Sequence, residues 1–352
     1  MKFLILGNFM DNQTGIYIEK SLEELGHEVK TVNIRKILAD NKSELEPTQL
    51  VVLEEIEKLS YTPDTIIVLK GHELTTETLK KIRVKYKNVK LVNWFFDIYF
   101  NDKKIWENKE CNEFIKEFDY FFCSIKEASD KLKEVGFNNV YYLEEGCYPP
   151  FHKEQYMNNF QKKKYGEDIS FCGSIGYSMH QDRIRLLDLI VKEGFNINIW
   201  GRVVCEPKSI PPLMRRFLTG KEVVNESHSM VCQTSLINIG IDQDINADMG
   251  FSARVYRVLC AGGLYLSTNT KGLDKLFKIN KKGEELTKDL EIVVFYDDKD
   301  LIEKLDFLLE HDGVREAIAE NGQKVVLEKH KFSDRLSEMI GIVKNENKCS
   351  SC

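Results

Sequence analysis

Phe171-Cys172-Gly173-Ser174-Ile175-Gly176 joins a short apolar run to a loop of small residues, and a helical pattern that carries Arg183 follows it. The run from Ile169 to Cys172 has the length and the flanks of a strand, and Gly173 marks the turn after it. A strand, a small-residue turn and an amphipathic helix form the repeating unit of a doubly wound α/β domain. This stretch therefore predicts such a domain around itself.

The same alternation extends from this stretch in both directions. Predicted strands lie at residues 2–6, 28–32, 65–69, 90–95, 119–123, 140–143, 169–172, 197–200, 236–239, 264–267 and 292–295. Predicted helices lie at residues 16–25, 48–59, 76–86, 110–117, 127–135, 182–192, 252–259, 300–309, 314–327 and 335–343. Apolar runs that are mostly continuous are typical of parallel strands buried on both faces. Two successive Rossmann-like domains with a ligand cleft between their sheets follow from this pattern.

The boundary between the two domains is predicted near residue 160. Pro149-Pro150 and the polar stretch 152–167, which contains Lys162-Lys163-Lys164, interrupt the periodicity as a linker does. The prediction assigns residues 1–160 to the first domain, 161–332 to the second, and 333–352 to a C-terminal helix and tail.

Composition narrows the class of protein. The 352 residues are 42% hydrophobic and 30% charged, which indicates a folded globular chain. The net charge of −6 gives no overall attraction to nucleic acid or anionic membranes, although a local basic face stays open. No apolar run has the length of a membrane span, and the nine cysteines are scattered as in reduced proteins. We expect a cytoplasmic protein.

The loop at Gly173 and Ser174 has two interpretations. Glycines let backbone N–H groups approach an anion, and a helix N-terminus favours negative charge, so the loop suits a diphosphate. It also suits a tight strand-to-helix turn that binds nothing. The loop lacks the full GxGxxG pattern, and Gly201-Arg202 stands where an acidic residue would end the next strand. These departures disfavour an NAD-linked oxidoreductase.

A second constellation begins at Ser252, a good N-cap residue, and runs through Arg254 to Gly262-Gly263. Arg254 falls in the first turn of the predicted helix, where the helix dipole prefers an acid. An anion bound beside Arg254 explains its position. Pairing with a nearby carboxylate such as Asp248 explains it equally well.

These residues carry a family resemblance. The order FCGS, WGR at the end of a strand, SxRVY with a following GG, and Asp297-Asp298-Lys-Asp300 before a helix resembles CgeB-like proteins among the group 1 glycosyltransferases. The resemblance covers roughly residues 168–340 and includes the ending from Ile318 to Arg335. It implies the GT-B fold, with a last helix that crosses back to the first domain. It also implies a hexosyltransferase-like enzyme in which the first domain holds the acceptor and the second holds a nucleotide-sugar.

The resemblance carries donor-side roles over by position. It places Gly173 and Ser174 at the diphosphate, Gly201 and Arg202 beside the base, and Ser252 with Arg254 on phosphate. The full predicted donor set is Gly173, Ser174, Arg183, Gly201, Arg202, Ser252, Arg254, Tyr256 and Arg257. Arg257 departs from the family, which commonly has a glutamate there. Either the donor is held differently, or the chain is a non-catalytic nucleotide-sugar-binding protein.

The chemistry of this fold needs no metal and no cofactor beyond the nucleotide-sugar, because helix N-termini and cationic side chains can stabilise the departing diphosphate. Asp242-Gln243-Asp244 has the DxD spacing of a metal site, but a solvated loop is the favoured interpretation. Asp97 and His72 follow strands of the first domain and are the candidate general bases. A cap or salt bridge for Asp97 and a loop position without function for His72 are the alternatives. The acceptor stays open among protein, polysaccharide, small molecule and modified nucleic acid.

Overall fold

The computed structural model describes residues 1–10, 13–101, 103–176 and 181–349. The chain forms two compact units, which we call unit 1 and unit 2. Unit 1 is Met1–Glu145 together with Phe332–Cys352, and unit 2 is Gly146–Lys331. The last residues of the predicted tail, 350–352, lie outside the described residues.

Unit 1 is built on a parallel sheet. The described strands are β1 (Lys2–Gly7), β2 (Glu28–Asn33), β3 (Thr65–Leu69), β4 (Lys90–Phe95), β5 (Tyr99–Phe100), β6 (Lys103–Lys104), β7 (Tyr120–Cys123) and β8 (Val140–Tyr142). Six of them form the sheet, in the order β2-β1-β3-β4-β7-β8, and all pairs are parallel. Every residue of β3 is buried, as expected for a strand covered on both faces. The short strands β5 and β6 form a separate antiparallel pair that the sequence did not predict.

Helices cover the sheet of unit 1. They are α1 (Thr14–Glu24), α2 (Ile34–Asp40), α3 (Leu45–Lys58), α4 (Thr76–Lys85), α5 (Lys109–Ile115) and α6 (Lys126–Glu134). The buried apolar side chains of α2 to α6 pack with those of the strands in one core.

Unit 2 repeats this plan. Its described helices are α7 (Pro149–His152), α8 (Asn159–Tyr165), α9 (Gln181–Lys192), α10 (Glu226–Thr234), α11 (Arg254–Cys260), α12 (Asp298–Glu310) and α13 (Asp312–Lys329). Its described strands are β9 (Ile169–Cys172), β10 (Ile197–Trp200), β11 (Ile237–Gly240), β12 (Tyr265–Thr268) and β13 (Val293–Phe295). They form one parallel sheet in the order β10-β9-β11-β12-β13. Three short 3₁₀ turns lie at Pro207–Ser209, Met214–Phe217 and Leu273–Lys275.

The final helix, α14 (Phe332–Cys349), belongs to unit 1, in agreement with the prediction of a helix that crosses back. Phe332 packs against Tyr17 and Trp94, with ring centroids 5.8 and 6.1 Å away. Arg335 Nη2 lies 3.1 Å from Glu144 Oε1. Aromatic burial and an ion pair therefore tie the end of the chain to its first part.

Each predicted strand is present with its bounds shifted by at most one residue. The domain boundary differs from the predicted one. Unit 2 begins at Gly146, because the stretch predicted as a linker packs inside it. Ser229 Oγ donates to Phe151 O at 2.9 Å, and Gln155 exchanges two hydrogen bonds of 2.7 Å with Gln233. Among the described residues, no helix has the length and apolar character to cross a bilayer.

Candidate functional site

The sheet order of unit 2 fixes where a ligand crevice lies. Strand β9 sits between β10 and β11, so the chain leaves β9 to one side and returns on the other. Such a reversal opens a crevice at the carboxyl ends of the two central strands. Gly173 and Ser174 follow β9, and Asp242 follows β11 after one residue. The predicted diphosphate loop thus stands at the switch point of its sheet.

Two glycines allow the chain to close tightly at this edge. Gly173 donates its N–H to Trp200 O at 2.8 Å. Gly201 has φ +137°, and a Cβ there would lie 2.2 Å from Gly173 O. Backbone packing therefore explains Gly201, which the prediction placed beside the base.

Arg254 reaches this loop from the start of α11. Its Nε donates to Cys172 O at 2.8 Å, and its Cζ lies 5.3 Å from the ring centroid of Phe171. A Cβ at Gly173 would lie 2.8 Å from Arg254 Nη2. Arg254 Nη1 is buried and has no hydrogen-bond partner in the described part of the chain. A guanidinium that is held in place and has one unused N–H donor is suited to binding an anionic ligand.

Arg183, on α9, is a second cation against the same ring. Its Nε donates to Ile241 O at 3.2 Å and its Nη1 donates to Ser174 O at 2.9 Å. The guanidinium carbon lies 5.8 Å from the Phe171 ring centroid. Burial and the charge of Arg254 lower the pKa of Arg183 to about 9. Arg183 thus links the ends of β9 and β11 by hydrogen bonds, so its role in the predicted donor site is structural.

Asp242 is the buried counter-charge of the two arginines. Its Oδ1 accepts from Ser252 N–H at 3.1 Å, and its Oδ2 accepts from Thr270 Oγ1 at 2.8 Å. Burial raises the pKa of Asp242, and the positive charge of Arg254 opposes that shift. The prediction of a solvated loop at Asp242 is therefore wrong: the side chain is only 6% exposed.

Asp244, the other acid of the DxD spacing, accepts from Asn246 N–H at 3.1 Å. Within the described residues, no cluster of three or more His, Cys, Asp or Glu side chains is arranged to hold a metal ion.

The start of α11 differs by two residues from the predicted helix. Arg254 is its first residue, and the N-cap position falls on Ala253. Ser252 Oγ still accepts from Arg254 N–H, at 3.3 Å, so Ser252 fixes the turn as a capping residue does. Asp248, the alternative partner for Arg254, has its carboxylate 2.8 Å from Lys275 Nζ.

The remaining donor-side predictions lie apart from the loop. Tyr256 is 1% exposed in the core of unit 2, where it stacks on His330 at 5.4 Å. Arg202 is exposed and pairs with Glu222 at 2.9 Å. The backbone of Arg202 belongs to the loop region, since its carbonyl accepts from Ile175 N–H at 2.9 Å. The structure thus gives Tyr256 a packing role and turns the side chain of Arg202 toward Glu222.

Arg257 lies one turn after Arg254 on α11. Burial and the charges of Arg257 and Arg254 lower the pKa of His228 to about 3. Burial, Arg257 and His228 hold the pKa of His152 well below its ordinary value. Arg254 and Arg257 thus lie near two histidines whose pKa values are lowered, His152 and His228.

Unit 1 has its own group of polar side chains after β3 and β4. Lys70 has φ 58° and the following Gly71 has φ 87°, so the loop turns sharply after β3. Lys70 Nζ lies 2.6 Å from Asp97 Oδ2. Burial lowers the pKa of Lys70, but Asp97, Glu145 and Glu73 together raise it above its ordinary value, so Lys70 stays protonated. The salt bridge predicted as one alternative for Asp97 is present. Sequence reasoning missed Lys70, although it directly follows a buried strand.

His72 stands beside this pair. Its ring packs edge-on against Phe95 and Phe100, with centroids 5.4 and 5.5 Å away. Burial lowers the pKa of His72, and the charge of Glu73 opposes that shift, so the imidazole is neutral near pH 7. Its Nδ1 is buried with no hydrogen-bond partner among the described residues. The structure thus brings His72, Lys70 and Asp97 to one edge of the sheet.

Comparisons with known proteins agree with this arrangement. Residues 183–341 match the family model described as glycosyl transferase-like. No curated protein matches the chain by sequence.

Solved structures share the fold over nearly the full length. Sucrose-phosphate synthase from Thermosynechococcus elongatus has 9% identity and a TM-score of 0.64, covering 99% of this chain and 100% of that chain. The catalytic domain of Starch Synthase IV from Arabidopsis thaliana, bound to ADP and acarbose, has 10% identity and a TM-score of 0.60, covering 95% and 99%. UDP-GlcNAc 2-epimerase from Methanocaldococcus jannaschii, with UDP-GlcNAc and UDP, has 12% identity and a TM-score of 0.52, covering 97% and 100%.

These findings confirm the predicted GT-B fold of two parallel-sheet, Rossmann-like units. The family-model match over residues 183–341 supports the predicted glycosyltransferase.

Proposed function

We propose that this glycosyltransferase moves a sugar from a nucleotide-diphosphate sugar, whose diphosphate binds at the carboxyl end of β9 in unit 2. The observation that carries the proposal is the guanidinium of Arg254, which is fixed at the switch point with its buried Nη1 lacking a partner in the described structure. Asp242 offsets only part of the charge of Arg183 and Arg254, so the site keeps a net positive charge. The proposal includes the assignment of this chain to the CgeB-like proteins.

Each group has a definite part in the proposed reaction. The bond between the anomeric carbon and the phosphate oxygen breaks, and an acceptor oxygen forms the new bond to that carbon. Arg254 stabilises the negative charge that develops on the leaving diphosphate, and no metal is invoked. In an inverting reaction, Asp97 or neutral His72 of unit 1 takes the proton of the acceptor. Lys70 Nζ pairs with the carboxylate of Asp97. The acceptor and its chemical class are left open.

The experiment is a binding titration on the full chain. We would titrate UDP-, GDP-, dTDP-, CDP- and ADP-sugars and NAD by calorimetry, and follow each hit with an assay for released nucleoside diphosphate. Arg254→Ala removes a charged hydrogen-bond donor and should weaken binding of the preferred nucleotide-sugar by about 10- to 100-fold. Arg185→Ala is the matched control, since Arg185 lies on α9 but pairs with Asp298 at 2.6 Å.

The outcomes separate three functions. Turnover that falls in Arg254→Ala and persists in Arg185→Ala supports the transferase. Binding without turnover supports the non-catalytic nucleotide-sugar-binding alternative, which Arg257 at the usual glutamate position motivates. Conversion of UDP-GlcNAc into an isomer without any acceptor would point instead to epimerase chemistry. A donor affinity that does not change in Arg254→Ala would refute the assigned site.

A further inference from the structure

Two exposed aromatic side chains lie on α8 and just before it. Tyr156 is 93% exposed and Phe160 is 75% exposed. The inner side of the same helix faces unit 2, where Gln161 Nε2 lies 3.8 Å from Met230 Sδ and Tyr165 packs 5.9 Å from Trp200. The sequence predicted a linker here, but a capping box of Asn158 and Gln161 starts a defined helix. Phe160 is therefore displayed on a defined helix, and Tyr156 lies three residues before it.

Three consecutive lysines accompany the aromatics. Phe160, Lys163 and Lys164 have the i, i+3, i+4 spacing that places side chains on one side of a helix. Lys162 is exposed next to them, and none of the three lysines takes part in an ion pair of the described residues. Lys164 Nζ lies 3.0 Å from the hydroxyl oxygen of Tyr165 and 4.6 Å from the centroid of its ring. We call Tyr156, Phe160, Lys162, Lys163 and Lys164 the α8 patch.

The lysine-rich surface of α4 is internally neutralised, unlike that of α8. On α4, Lys80, Lys81 and Lys85 each have a glutamate oxygen within 3.7 Å. The whole chain carries a net charge of −6. The α8 patch therefore differs from the α4 surface in combining unneutralised positive charge with exposed aromatic rings.

We propose that the α8 patch docks this protein on a membrane surface rich in anionic phospholipid. Aromatic rings favour the boundary between headgroups and acyl chains, and lysines are attracted to the negative potential of anionic lipids. Tyr156 and Phe160 enter the headgroup layer, and the three ammonium groups contact lipid phosphates. The proposal is independent of the sugar-transfer chemistry assigned above.

The exposure of the rings favours a flat surface over a nucleic-acid strand. Proteins that bind single strands stack bases on aromatic rings inside a positively charged groove. A side chain that is 93% exposed has almost no neighbouring protein to form a groove wall. The α8 patch is also short, because a helix of 7 residues spans only about 10 Å.

The test is vesicle co-sedimentation with the full chain. The probes are vesicles of phosphatidylcholine alone and vesicles with about one third phosphatidylglycerol, at low and physiological salt. Two variants alter the α8 patch: Tyr156→Ser with Phe160→Ser, and Lys162→Gln with Lys163→Gln and Lys164→Gln. The control variant makes three lysine-to-glutamine changes on α4, Lys80→Gln, Lys81→Gln and Lys85→Gln, and replaces one exposed apolar side chain, Val84→Ser; Val84 is 70% exposed.

We expect binding to the anionic vesicles only, with salt sensitivity. Each lysine contributes roughly fivefold, so the triple lysine variant should lose about 100-fold in affinity. The aromatic variant should lose binding to a similar extent, while the α4 control binds as the unmodified chain does. Circular dichroism and thermal midpoints that match the unmodified chain would show that the variants fold.

Three results would overturn the proposal. One is no binding to anionic vesicles, and another is binding that the α8 variants share with the unmodified chain. The third is binding of a single-stranded oligonucleotide or heparin, but not vesicles, with the same dependence on the patch. That last result would assign the patch to a soluble polyanion.

Discussion

At the residue scale, the candidate site requires glycine at position 173, because a larger side chain would meet the guanidinium of Arg254. The guanidinium of Arg254 occupies the space that a side chain at position 173 would take. The guanidinium carbon also lies 5.3 Å from the centroid of the Phe171 ring, and the face of an aromatic ring attracts a cation. The glycine is therefore required by the close approach of Arg254.

Gly173→Ala should disable donor binding with little effect on folding. Its Cβ would lie 2.8 Å from Arg254 Nη2 and 3.0 Å from Phe171 Cζ, so the flexible end of Arg254 has to move. We expect donor affinity to fall by about tenfold or more, through loss of a charge-assisted hydrogen bond. Calorimetry measures the affinity. Gly341→Ala is the matched control, since a Cβ there meets no atom within 4 Å. Donor affinity retained in Gly173→Ala would contradict the assigned role of Arg254.

At the scale of elements, α14 shows how a distant segment completes a unit. Its first residue, Phe332, is fully buried among side chains of unit 1. Arg335 adds an ion pair with Glu144 and donates to Glu145 O at 3.3 Å. The helix is therefore part of the core of unit 1, although it follows unit 2 in sequence.

Phe332→Ala should destabilise unit 1 specifically. Removing a fully buried phenyl ring costs about 3–5 kcal/mol of unfolding free energy. Urea unfolding followed by tryptophan fluorescence measures the loss, because Trp94 packs on Phe332. Phe160→Ala is the control: that ring is exposed on α8 and its removal should change stability by less than about 0.5 kcal/mol. Equal stabilities of the two variants would contradict the core position of α14.

At the scale of the whole molecule, buried histidines link stability to pH. The folded state holds His228 neutral, with a pKa lowered to about 3 by burial, Arg257 and Arg254. The unfolded chain protonates the same side chain at its ordinary pKa near 6.5. Between these values the unfolded state binds one more proton, so stability decreases as pH falls.

We expect the free energy of unfolding to drop as pH falls from 6.5 toward 4, by at most about 1.4 kcal/mol per pH unit for His228. Urea titrations at several pH values measure this slope. His228→Gln should have a shallower slope, by up to one proton, and should leave the stability above pH 7 nearly unchanged. His311→Gln is the control, since His311 is exposed at the end of α12, where its ring stacks on Phe307. Equal slopes for both variants would show that His228 is already protonated in the folded state.

The sequence alone determined the strands, the principal helices and the two parallel sheets, because local periodicity and turn residues fix those features. It also indicated Gly173, Ser174, Ser252 and Arg254 as parts of one site. Short helices such as α8 and α10 escaped prediction, since they depend on packing rather than on a long repeat.

The tertiary structure alone decided which of these groups meet. Arg254, which follows β11 in the chain, reaches Cys172 at the end of β9 because β9 and β11 are neighbours in the sheet, although these strands are far apart in sequence. The same holds for Lys70 and Asp97, which follow the neighbouring strands β3 and β4. Tyr256 belongs to the core because the rotation of α11 turns it toward His330. Sheet order and helix rotation are long-range properties, and they set the charge and burial on which the chemistry of the site depends.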